Sequence, residues 1–308
     1  MLAEEYKGHL AAFFTVFLWG TTFISTKVLL IDFLPVEILF VRFCMGWFIL
    51  FLLSPHSRVQ TNSKQKFIFN QELIFAGAGF TGICLYFLLE NIALTYTMAS
   101  NVGVLVCISP FLTALLVHFF MKSEEKLQRN FFIGFFVAIT GIFLISFNGS
   151  KLQLNPLGDI LALSAAFVWA CYSILTKKIS KFGIPVILAT RKTFFYGLLF
   201  IFPTLFIFDT HMEIQRFYNL TNLFNILYLG GGASALCFVT WNYTVKILGA
   251  IKTSVYIYLI PVITVVTAAI VLAEPMSLLL TLGTALTIVG LFISKYDSPK
   301  ARSVKRQK

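Results

Sequence analysis

W-G-T-T-F-I-S-T-K at positions 19–27 is answered, about 150 positions later, by W-A-C-Y-S-I-L-T-K at 169–177. The correspondence extends outward from these stretches. Pro35 leads to Arg42 as Pro185 leads to Arg191 and Lys192; Glu90-Asn91 is matched by Trp241-Asn242, Pro110 by Pro261, and Glu124 by Glu274. Both copies are apolar, and each contains five apolar stretches of membrane-crossing length. Five is odd, so a second copy that continues from the first crosses in the opposite sense. An inverted repeat of this kind is the usual frame of a membrane carrier.

Composition agrees with a membrane setting. The 308 residues are 58% apolar and 12% charged, about half the charge of a soluble domain. The ten apolar stretches run approximately over 10–30, 35–53, 72–92, 98–121, 130–147, 157–176, 184–207, 223–245, 253–273 and 278–294. Each is close to the roughly 20 residues needed to cross about 30 Å of hydrocarbon. The first is too long and too polar at its end (Thr21, Thr22, Ser25, Thr26, Lys27) to be a cleaved signal peptide. The expected architecture is therefore an all-α polytopic membrane protein, with ten transmembrane helices as two inverted five-helix repeats around a central cavity. The first repeat spans 1–149 and the second 150–298, with a basic tail at 299–308. Asn148 to Pro156 reads as the linker between copies.

The net charge of +11 looks like a nucleic-acid signal until it is mapped. With the N-terminus in the cytoplasm, 18 of the 24 Lys and Arg residues fall on that side, and only Lys151 and Arg216 fall outside. The remaining four, Lys27, Arg42, Arg191 and Lys192, lie within stretches. This bias places both termini in the cytoplasm and excludes a nucleic-acid partner. The five cysteines (Cys44, Cys84, Cys107, Cys171, Cys237) all lie in apolar stretches without a CxxC pair, so neither a disulfide frame nor a metal is expected.

Polar side chains are costly in hydrocarbon and so outline an interior path. Trp19, Thr22, Phe23 and Thr26 share one helical face, and Trp169, Tyr172, Ser173 and Thr176 repeat the spacing. Both tryptophans sit mid-stretch rather than at the headgroup level where belt aromatics belong. They line a cavity or pack between helices; both readings stay open here. Tyr86, Glu90, Asn91 and Asn101 form one polar-aromatic cluster, and Trp241, Asn242 and Tyr256 another, one near each mouth. Glu90 is either a proton or cation site or a hydrogen-bonded structural carboxyl. Arg42, with Arg191 and Lys192 as counterparts, either meets an anionic substrate or bonds helix ends and snorkels. His118 lies deep in the fourth stretch. Pro110 and Pro261, within the fourth and ninth stretches, are expected to bend their helices.

These residues resemble the EamA-type exporters of the drug/metabolite transporter superfamily. The similarity rests on F-L-W-G-T-T-F-I-S-T-K at 17–27, Y-F-L-L-E-N-I-A-L-T-Y-T-M-A-S at 86–100, S-P-F-L-T-A-L at 109–115, W-N-Y at 241–243, G-A-I-K-T-S at 249–254 and L-I-P-V at 259–262. It implies an inner-membrane carrier whose stretches 1, 3, 4, 6, 8 and 9 line a cavity, with 5 and 10 supporting the outside. It also implies export of amino acids or other small metabolites. The second copy departs from the first at Ala170 and at Trp241, which replaces the acidic Glu90.

The expected function is a secondary active transporter, without cofactor, exporting an amphipathic metabolite such as an amino acid by alternating access, with protons as a coupling ion. A nucleotide-sugar or phosphate-ester antiporter is the nearest rival and needs several converging basic side chains. A polytopic membrane enzyme needs clustered His, Asp or Glu, and the four histidines are scattered. No G-x-x-x-x-G-K-[ST] is present, so the chain carries no Walker motif for ATP.

Overall fold

Hydrocarbon offers the backbone no hydrogen-bond partner, so an apolar chain must close its N–H and C=O groups within helices or a sealed barrel. The computed structural model takes the first route. It describes residues 2–54, 69–97, 99–120, 129–146, 156–210, 213–272 and 278–295, and among these every regular element is helical. In chain order they are α1 (Leu2–Leu29), α2 (Pro35–Leu53), α3 (Phe69–Tyr96), α4 (Ala99–Val106), α5 (Ser109–Phe120), α6 (Arg129–Ser146), α7 (Pro156–Ile179), α8 (Val186–Ile207), α9 (Leu220–Leu248), α10 (Ala250–Ser254), α11 (Ile260–Leu272) and α12 (Leu278–Lys295). A 3-10 turn, Val255–Leu259, joins α10 to α11.

Six of these helices, α1 to α3 and α7 to α9, are long and apolar enough to cross a membrane. They coincide with the first three expected stretches of each copy. Shorter apolar helices occupy the remaining four. The fourth stretch is broken at Cys107–Ile108 between α4 and α5, and the ninth passes through the 3-10 turn. Pro110 and Pro261 each sit at the second residue of the helix that follows the interruption. That is where a missing N–H costs least. Glu124, Glu274, the linker at 148–155 and the basic tail lie outside the described residues.

Contacts between helices give the bundle two ends. The near end holds the start of α1, where His9 meets Tyr256 and Glu5 meets Lys252. The far end holds Asp32, which accepts from Asn222.

Small residues set how closely the helices pack. Gly134 of α6 lies against the Gly290 carbonyl of α12, and Gly141 against the Gly283 carbonyl. The order is reversed, so α6 and α12 run antiparallel with backbones touching. In α3 and α9 the helix widens to π geometry over Gly79–Leu85 and Tyr228–Leu236. There the Tyr86 N–H reaches the Thr81 carbonyl and the Cys237 N–H the Gly232 carbonyl. The widened stretches fall where α3 meets α8 and α9 meets α2: a Cβ on Gly79 would lie 2.6 Å from the Gly197 nitrogen, and one on Gly230 2.6 Å from the Met45 sulfur. Gly249, at φ 87°, supplies the left-handed turn between α9 and α10.

Gly290→Ala is expected to destabilise the protein by about 1–3 kcal/mol, because its Cβ would fall 2.5 Å from the Ala138 nitrogen. Gly103→Ala meets nothing closer than 3.9 Å and should leave the melting temperature in detergent unchanged or slightly raised. Equal melting temperatures for the two variants would contradict the close α6–α12 contact.

Candidate functional site

The two tryptophans that mark the repeat meet. Trp19 of α1 and Trp169 of α7 lie edge to face, ring centroids 5.2 Å apart and planes at 86°. Trp241 of α9 packs on both, at 5.0 and 5.9 Å. Phe238, one turn before Trp241, touches Trp19, Trp169, Tyr172, Phe43 and Phe194. Each edge-to-face pair adds about 0.5–1.5 kcal/mol beyond burial. The Trp19 indole donates to the Ala233 carbonyl at 3.0 Å. The Trp169 and Trp241 indole nitrogens are buried without a partner.

A small cavity of about 20 Å³ opens beside this cluster. Trp19, Thr22, Phe23, Tyr86, Glu90 and Trp169 line it, all named from sequence. Trp19 and Trp169 therefore both line the cavity and pack between helices. Phe87, Val106, Ile257 and Ile260 complete the wall; sequence reading missed them because an apolar residue in an apolar stretch carries no mark. Glu90 is 2% exposed and shares the cavity wall with Tyr86, one turn earlier on α3. No basic side chain lines this cavity.

The other candidates lie elsewhere. Trp241 is fully buried behind the cavity wall. Asn91 donates to the Pro35 carbonyl at 3.1 Å. Asn242 accepts from the Tyr172 hydroxyl at 3.0 Å and donates to Thr190 Oγ1 at 2.9 Å. It borders a second pocket towards the near end, with Thr176, Ser180, Thr193 and Lys246. Tyr256 pairs with His9 Nδ1 at 2.7 Å. The Asn101 side chain lies outside the described residues. The expected clusters are thus divided between one central cavity, a near-end pocket and helix-joining bonds.

The basic residues separate in the same way. Arg191 donates to the carbonyl of Ser54, the C-cap of α2, at 2.8 Å. Lys27 donates to the carbonyls of Leu94 and Thr97 at the end of α3. Lys192 pairs with Glu72, which also accepts from Tyr196 at 2.7 Å. Arg42 does not snorkel: it is 1% exposed and lies against the rings of both Phe87 and Phe43. Ring faces lie against the buried cation. His118 is exposed on the surface of the bundle, beside Phe119. Among the described residues, no three His, Cys, Asp or Glu gather to hold a metal ion.

Polar bonds cross the bundle at both ends. At the far end Arg216 pairs with Glu37 at 3.2 Å, Asn222 donates to Asp32 at 2.7 Å, and Ser25 donates to Asn225 at 2.6 Å. At the near end stand the Lys192–Glu72, Arg191–Ser54 and His9–Tyr256 contacts. None of the far-end partners was legible as a pair, since each joins residues close to 200 positions apart.

Comparison with known proteins fits this arrangement. The profile of the EamA-like transporter family matches residues 6–147 and 156–296. An "Uncharacterized transporter" of Archaeoglobus fulgidus is 25% identical over 94% of this chain and 97% of its own. A "Probable amino-acid metabolite efflux pump" of Escherichia coli is 25% identical over 97% of this chain and 98% of its own. A solved crystal structure, 18% identical, superposes with a TM-score of 0.72 over 96% of this chain and 98% of that one, which shows the shared fold.

Glu37 is 1% exposed, and its Oε2 accepts from both Arg216 and the Leu34 N–H. Arg216→Ala strands that carboxylate and should cost about 2 kcal/mol of stability. Adding Glu37→Gln should recover most of the loss. Thermal unfolding of the single and double variants checks the coupling; additive losses would contradict it.

Proposed function

The chain belongs to the EamA-like transporter family, and on that premise we propose that it is a secondary active transporter that exports amino acids or similar small amphipathic metabolites by alternating access. The observation that carries this reading is the central cavity: mid-bundle, walled by aromatic rings, with one buried carboxylate and no lining cation. Such a wall favours a partly hydrophobic solute with a polar head. The efflux-pump names of the Escherichia coli and Salmonella typhimurium relatives support the same class of cargo.

Ten spans in two inverted five-helix repeats are the frame proposed for this carrier. In support, the six long helices fall three to each matched segment, and α6 and α12, equivalent helices of the two copies, run antiparallel. Both termini then face the cytoplasm, the near end being cytoplasmic, in the inner membrane of a bacterial cell. The bonds at the two ends are the closures that alternating access would open in turn. Glu90 is the proposed proton site, carrying a coupling ion through the cavity. The phosphate-ester rival is disfavoured because Arg191 and Lys192 are spent on Ser54 and Glu72. That leaves too few basic groups for a polyanion.

The test is efflux and uptake of radiolabelled amino acids in proteoliposomes, with and without a pH gradient. Accumulation driven by the gradient is expected, and no solute movement under any gradient removes the carrier reading. Glu90→Gln should lose dependence of transport on the gradient by about tenfold or more. Full gradient-driven transport by this variant excludes Glu90 as the proton site.

A further inference from the structure

Arg42 holds the most conspicuous unmet demand in the described core. Its Nε donates to Ser234 Oγ at 3.0 Å, but Nη1 and Nη2 are buried with no partner. The guanidinium carbon lies 4.4 Å from the Phe87 ring centre and 5.2 Å from that of Phe43. Ring faces attract the charge, yet they leave the in-plane N–H donors empty. A cation buried in that state is strongly disfavoured unless an anion meets those donors.

Three further observations say what kind of anion. Phe87 is also a wall of the central cavity, so Arg42 stands behind one ring of that cavity. Glu90, one helical turn along α3 from Phe87, lines the same cavity within electrostatic reach of Arg42. No second basic side chain joins them: Lys27, Arg191, Lys192 and Arg216 are engaged with carbonyls or carboxylates. One cation and one carboxylate close to each other match a solute with one group of each sign. A simple organic cation would leave Arg42 unmet, and a phosphate dianion would be repelled by Glu90.

We propose that Arg42 and Glu90 form a split head-group site for an α-amino acid. The carboxylate lies bidentate on Nη1 and Nη2 of Arg42, and the ammonium lies on Glu90 beside Tyr86 and Trp169. The side chain lies against the aromatic wall, which must widen to admit it. This inference rests on the carrier reading and adds the two groups that read the substrate. Bidentate carboxylate binding by a planar guanidinium is a strong, geometrically selective contact, and a site built for it rejects analogues that lack the acceptor.

The experiment uses full-length protein in proteoliposomes. A panel of radiolabelled amino acids, the organic cation tetraphenylphosphonium and glucose 6-phosphate is tested for movement. For the best-transported amino acid, its carboxamide and its N-acetyl derivative serve as competitors. Both should compete about tenfold or more weakly than the parent. Arg42→Gln should raise the half-saturating concentration of the parent about tenfold while changing that of the carboxamide less than about twofold. Arg42→Lys should restore part of the preference. Transport in which the carboxamide competes as well as the parent in the wild type overturns the inference while leaving the carrier intact. So does an Arg42→Gln variant that weakens both equally, the mark of a structural role. Movement of only the cation or only the phosphate overturns it too. No movement of any solute removes the carrier reading itself. The wild-type competition decides the matter even where Arg42→Gln fails to fold.

Discussion

Trp19 resting edge-on against Trp169 is the contact from which the middle of the molecule is built. The two rings come from equivalent places in the two copies, and their meeting fixes how α1 and α7 approach at the centre of the bundle. Trp241 and Phe238 pack beneath them and bring α9 into the same cluster. Tryptophan suits this task because it buries a large rigid surface with few rotatable bonds, and its edge and face attract. The cavity exists because these rings pack side by side without filling the space in front of Tyr86 and Glu90.

Around that centre, the low dielectric dictates what becomes of each charge. Basic residues near helix ends take carbonyls that the helix leaves open: Arg191 at the end of α2, Lys27 at the end of α3. Others meet carboxylates near the two ends of the bundle, as Arg216 does with Glu37 and Lys192 with Glu72. Arg42 and Glu90 follow neither pattern. Each is almost fully buried, and neither takes the other as an ion-pair partner within the bonds among described residues. Glu90 lines the cavity beside the aromatic cluster, and Arg42 stands behind its Phe87 wall.

Close packing elsewhere is the work of glycine. The α6–α12 contact, backbone against backbone at Gly134, Gly141, Gly283 and Gly290, needs no polar bond because removing side chains lets dispersion act at short range. In α3 and α9 the same demand is met differently. The widened turns around Gly79 and Gly230 accommodate the crossing helices α8 and α2. The glycines were visible in the sequence, but the widened helix was not. A π turn depends on which side chain presses from the neighbouring helix, and no local pattern encodes that.

Repetition, helical character and the membrane setting follow from local composition: apolar runs of bilayer length, with polar residues confined to particular helical faces. For the same reason Trp19, Thr22, Tyr86, Glu90 and Trp169 stood out as candidates in the sequence, since a polar or amphipathic group within hydrocarbon has only the interior to face. The partners could not be placed. That Tyr256 meets His9, that Asn242 bridges Tyr172 and Thr190, that Phe87 separates Arg42 from the cavity, and that Arg42 keeps two empty donors were decided only when the helices packed. Burial is written into each segment by its own residues. A contact depends on the angle and separation of two segments far apart in the chain, and only the folded bundle sets those.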